Sequence, residues 1–98
     1  MSLYKFLAFV WVCIARFCFA CDPVLASQLI TYSINEMEQS GNNPYEYVVS
    51  AYDALESCSV CESTYYVGLA VSDLSTDVQI DAMGQLTIAL GHIDGCTD

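Results

Sequence analysis

Cys58-Ser59-Val60-Cys61 is the stretch whose reading decides the fold of this chain. It lies near the middle of residues 21–98, and the other cysteines of that segment, Cys21 and Cys96, stand almost at its two ends. Two cysteines at the centre and one at each end predict a chain whose termini are tied to a central hub. Cys13 and Cys18 belong to a segment of different character.

That segment is Met1 to Ala20. A short start carrying Lys5 leads into the apolar run Phe6-Leu7-Ala8-Phe9-Val10-Trp11-Val12-Cys13-Ile14-Ala15, and Cys18-Phe19-Ala20 places small residues where a signal peptidase needs them. A bilayer span needs about 20 apolar residues, more than this run supplies before Arg16 interrupts it. The expectation is a cleaved signal peptide over residues 1–20, a secreted, extracellular product and no membrane span in the mature form.

Lys5 and Arg16 are the only basic side chains of their kind, so residues 21–98 hold all twelve Asp and Glu with no Lys or Arg. Such a segment excludes a nucleic-acid binder, because phosphate neutralisation needs cationic side chains. It also argues against docking on an anionic membrane surface. Self-repulsion favours solubility and a basic partner, so a basic protein receptor is the expected macromolecular contact. No internal Lys or Arg ion pair can form. A domain this small has a marginal core and calls for staples. Cys21, Cys58, Cys61 and Cys96 form an even set in an oxidising compartment and predict two disulfide bonds.

Around the hub the apolar spacing is helical. Asp22-Pro23 opens a first helix as N-cap and N1, with Leu25, Leu29 and Tyr32 on one ridge and Ala26, Ile30, Ser33 and Met37 on the next, until Gly41 ends it. Asn43-Pro44-Tyr45-Glu46 repeats the device, and Val48, Ala51, Tyr52 and Leu55 continue at i, i+3, i+4, i+7. Ser59-Val60-Cys61-Glu62 reads as a capping box starting a third element inside the hub. Its body, residues 64–71, is rich in β-branched and aromatic residues, which favour strand. A lone strand among helices would have no partner, so a buried helix, apolar nearly all round, is expected. Thr76-Asp77-Val78-Gln79 is read as the cap of a fourth helix with Ala82, Met83, Leu86, Ala89, Leu90 and Ile93 inward, closed by Gly95. Gly84 and Gly91 share another face, either as tolerated glycines or as the close approach of a second helix. The expected architecture is an all-α, small disulfide-linked four-helix domain over residues 21–98.

Candidate chemistry is sparse. A Cys-x-x-Cys at a helix start suits a redox dithiol, but no βαβ pattern or cationic side chain attends this one, and structural cystines are expected. Cys58, Cys61, Cys96 and His92 could be written down as zinc ligands, although cysteines in a secreted chain oxidise instead. His92 is the single histidine, and no activated nucleophile accompanies it, so no catalytic residue and no enzyme are expected. Asp73, Asp77 and Asp81 recur every four residues as though lining one helix face, yet no calcium-loop pattern is present. A solvated acidic face is the expectation there, with no metal and no cofactor. No Asn-x-Ser/Thr acceptor for an N-glycan occurs.

Four cysteines allow three pairings. Cys58 and Cys61 flank a helix–helix turn, so each can point at a different neighbour. The economical monomer ties Cys21 and Cys96 each to the hub, with the choice of hub partner left open.

The layout also resembles the secretoglobin (uteroglobin-like) family. The resemblance rests on a cysteine at the mature start followed closely by Pro23, a second helix opened by Pro44 with Glu46-Tyr47-Val48, Tyr52-Asp53-Ala54 beyond it, and a last helix running into Cys96. It implies a disulfide-linked homodimer in which Cys21 of one chain joins Cys96 of another, leaving Cys58 and Cys61 to pair locally. It further implies a helix-lined cavity for an apolar small molecule, steroid- or lipid-like, with Tyr47, Tyr52 and Leu86 facing it.

Two functions from different classes follow. One is a lipid-binding carrier; the other is an interaction protein such as an effector, pheromone or toxin-like ligand, with a solid core and an acidic surface.

Overall fold

The computed structural model describes residues 20–98; the signal peptide read over residues 1–20 lies, apart from Ala20, outside the described residues. The element order is α1 (Pro23–Ser40), α2 (Tyr45–Glu56), α3 (Ser63–Ser75) and α4 (Gln79–His92), followed by a 3-10 turn, Ile93–Gly95. The all-α, four-helix, disulfide-linked architecture expected from the sequence is the one observed. No strand is formed among the described residues, where Val60 and Thr97 make an isolated antiparallel bridge.

Each helix buries one ridge at helical spacing. These are Ala26, Ile30, Ser33 and Met37 from α1, and Val48, Ala51, Ala54 and Leu55 from α2. Ser63, Val67, Ala70 and Leu74 come from α3, and Ala82, Leu86 and Ala89 from α4. Consecutive helices pack on one another, and α1 closes the ring against α4 and the 3-10 turn. In α1 the ridge headed by Ala26 wins over the ridge of Leu25 and Tyr32, both of which are exposed. The strand-like composition of residues 64–71 is overridden by tertiary packing. That helix is not buried on every side, however: Val67, Ala70 and Leu74 face the core while Tyr65 is 65% exposed.

Helix starts and stops depart from the sequence reading in three places. At α1 the cap is as expected: the Asp22 carboxylate accepts from the Leu25 N–H at 3.0 Å, and Gly41 ends the helix at φ 68°. At α2 the helix begins one residue late, at Tyr45, whose N–H is taken by the Asn43 side chain at 3.0 Å. At α3 the Ser59–Glu62 capping box does not form. The N–H groups of Ser59 and Val60 donate to the Thr97 carbonyl instead, so the helix starts only at Ser63.

At α4 the Thr76 cap is likewise absent. Val78 N–H reaches back to the Asp73 carbonyl and Asp77 N–H to that of Leu74, with Asp77 at φ 60°. That is the paired-bond termination of α3, with an aspartate in the left-handed position usually held by glycine. Thr76 therefore belongs to the end of α3, and its hydroxyl donates to Asp73.

Both cystines are intrachain and use the hub as a divider: Cys21 pairs with Cys58, and Cys61 with Cys96. This corrects the interchain Cys21–Cys96 link and the local Cys58–Cys61 link that the family resemblance implied. The reason is geometric. The turn between α2 and α3 aims Cys58 at the start of α1, where Asp22 N–H bonds the Ala54 carbonyl at 2.8 Å, and aims Cys61 at the C-terminal segment bridged to Val60.

Candidate functional site

The residues with chemical potential fall into three regions. At the hub no free thiol remains among the described cysteines, so neither dithiol exchange nor thiolate ligation is open to them. His92, at the end of α4, lies with its ring stacked on Tyr66, centroids 5.7 Å apart and planes 6° apart. Its Nδ1 is 3.5 Å from the Glu62 carboxylate. The cluster holds an imidazole, a carboxylate and a phenol. Among the described residues no group of three His, Cys, Asp or Glu side chains is placed to hold a metal ion. Asp73, Asp77 and Asp81 do not share a helix face, because Asp73 sits on α3, Asp77 in the turn and Asp81 on α4. The shared helix face that their spacing suggested is therefore not formed.

The three residues expected around a ligand cavity lie apart. Leu86 is fully buried in the core. Tyr47 is 47% exposed and packs its ring on Tyr32, with centroids 4.8 Å apart. Beside this pair the Glu36 carboxylate, and secondarily Tyr47, hold the Tyr32 phenol above its usual pKa. Tyr52 is half-buried and lines a small apolar hollow of about 200 Å³ with Gly68 and Val71. No concavity described for the chain joins Tyr47, Tyr52 and Leu86.

A second concavity, of about 200 Å³, lies where Pro23, Val24 and Ser27 of α1 meet Ile93, Asp94 and Cys96. A third, of about 330 Å³, is an open groove between α3 and α4, lined by Tyr66, Leu69, Ile80, Gly84, Gln85 and Ile88 together with Asp81. Sequence reasoning did not single out this groove. Of the two glycines noted in the sequence only Gly84 lines it, and a Cβ placed on Gly84 or on Gly91 would meet nothing within 4 Å, so no helix of the described chain approaches either.

Electrostatically the described surface has one sign. Residues 21–98 offer twelve carboxylates and no Lys or Arg, so no helix presents a fixed cation. No described helix is long and apolar enough to cross a membrane.

No protein-family model matches the chain, and comparisons with curated proteins and with solved structures return no significant match.

Proposed function

We propose that the chain is a small extracellular interaction protein that engages a basic partner through its acidic, disulfide-stapled helical surface. The observation that carries this reading is the closed core inside an unopposed anionic shell. Leu86, Leu55, Ile30 and Val48 pack at 0% exposure where a carrier would keep space. Sites for drug-sized ligands run to about 300–1,000 Å³ and enclose most of the ligand. The Tyr52 hollow, at about 200 Å³, falls short of that range. The larger α3–α4 groove is open along its length and encloses nothing. With both cystines spent within one chain, no cysteine of residues 21–98 is left to clasp a second copy around a shared cavity.

Extraction of the natively purified protein into organic solvent, followed by mass spectrometry, tests the reading. The expected result is no lipid or sterol at a meaningful fraction of the protein's molar amount. A stoichiometric apolar molecule would return the chain to the carrier class.

A further inference from the structure

We propose that the groove between α3 and α4 is the docking site for a basic amphipathic helix of another protein, an inference that rests on the cationic-partner reading above. The core-facing ridge of α4 is Ala82, Leu86, Ala89 and Ile93. Ile80, Gly84 and Ile88, at i, i+4 and i+8, form a second ridge that the core does not use. Ile80 is 80% exposed and Ile88 46% exposed. A helix on a small soluble domain ordinarily turns polar residues outward on that side, so this apolar ridge is available to an outside partner.

The shape suits a helix. Tyr66 and Leu69 of α3 form one wall and Ile80, Gly84 and Ile88 of α4 the other. The distance from Ile80 to Ile88 along the helix axis is about 12 Å, two turns of a partner helix. Gly84 lies mid-groove with open space where its Cβ would be, so an incoming backbone can come close. An apolar face laid into a groove between helices, anchored at i, i+3 and i+4 spacing, is an established mode of peptide recognition.

Charge selects the occupant. Asp81 lines the groove beside Ile80. Toward the other end Tyr66 stacks on His92, which in turn contacts Glu62. An apolar strip with a carboxylate near each end fits a segment with an apolar ridge and flanking Lys or Arg. A second copy of this chain would instead bring Asp81 toward the same carboxylates, and like charges across an interface oppose association.

The test uses the intact, disulfide-bonded protein and two synthetic peptides of Leu and Lys, each about 14 residues. One carries Leu at helical ridge spacing; the other has the same composition shuffled to destroy the ridge. Calorimetric titration at low salt should show the ridged peptide binding at least about tenfold more tightly. Amide shifts in NMR spectra should centre on Leu69, Gly84 and Ile88. The double variant Ile80→Gln, Ile88→Gln, with an unchanged thermal midpoint, should lose that tenfold preference and keep its weak affinity for the shuffled peptide. Equal binding of the two peptides, or shifts spread over the carboxylates of α1 and α2, would overturn the groove while leaving the cationic-partner reading intact. Absence of binding by either peptide would overturn both.

Discussion

The hydroxyl of Ser63, fully buried at the start of α3, donates a 2.6 Å hydrogen bond to the backbone carbonyl of Ala89 on α4. The bond answers a local need. At the end of α4 the N–H of Ile93 bonds Leu90, one residue short of its α-helical partner. Tightening into the 3-10 turn leaves the Ala89 carbonyl needing a donor in a dry place, and Ser63 supplies it.

Ser63→Ala should therefore be costly for so small a change. Stranding a buried carbonyl costs about 1–3 kcal/mol. In a domain of this size that corresponds to a fall in thermal midpoint of roughly 4–8 °C per kcal/mol. Ser27→Ala, which removes an exposed hydroxyl bonded to Val24 within α1, should change the midpoint little. Equal midpoints for the two variants would show that Ser63 carries no special weight.

Helix content was legible because the core ridges repeat at 3.6 residues: Ala26, Ile30, Ser33 and Met37 are both the pattern and the buried set. Helix boundaries were less legible, since Ser59 and Thr76 are residue types that serve equally at caps, bridges and helix ends. Long-range partners decided them. Thr97 pairs with Val60 beside the Cys61–Cys96 cystine, a relation thirty-five residues long that no local spacing displays. The groove was obscured for another reason. The periodicity of α4 correctly gives its inward face, including Ala82, Leu86 and Ala89, but leaves Ile80 and Ile88 without a role, because nothing in the chain's own packing uses them.

Each cystine closes a loop of similar length, with separations of 37 and 35 residues. In the chain-entropy account, loops of this size stabilise by about 4 kcal/mol apiece. Paired Cys→Ser variants at Cys21 with Cys58, or at Cys61 with Cys96, should lose comparable stability in urea titrations. The second pair should lose slightly more, because it also frees the Val60–Thr97 bridge. Peptide mapping should recover the two intrachain links, and electrophoresis should show a monomer with or without reductant. A covalent dimer that reduction dissolves would refute this arrangement.

Tyr32 supplies a pH signature. Its phenol is held above the ordinary range, first by the charge of Glu36 and then by Tyr47. A raised folded pKa means that the native state holds this proton more tightly than the unfolded chain does. The associated stability is therefore fully present below the ordinary tyrosine range near pH 10 and is lost as pH rises through the folded value. Titration of the Tyr32 ring by NMR should place its midpoint above that range. Glu36→Gln should bring it down, and Tyr47→Phe should do so less. No movement in Glu36→Gln would remove the carboxylate as the cause.

Asp77 joins backbone strain to a side-chain clip, and the two can be separated. It sits at φ 60°, the left-handed region that residues with a Cβ enter at a cost of roughly 1–2 kcal/mol, least for Asp and Asn. Its carboxylate accepts from Asn43 Nδ2 at 3.1 Å and from Gln79 Nε2 at 3.0 Å, joining the α1–α2 loop to the α3–α4 turn. Both donors keep a second acceptor, the carbonyls of Leu74 and Gly41, so losing the carboxylate strands neither of them. The two exposed bonds should then be worth no more than about 1 kcal/mol together. Asp77→Gly gives them up but gains freedom at positive φ, and the terms should cancel to within about 0.5 kcal/mol. Asp77→Ala gives them up and adds the left-handed cost that Asp largely escapes, about 1 kcal/mol more, so it should cost about 2 kcal/mol in all. Asp77→Asn keeps an acceptor and tolerance of the left-handed region, so it should stay near the parent protein. If urea midpoints instead place Gly as low as Ala, the clip outweighs the backbone and the loop depends on its hydrogen bonds.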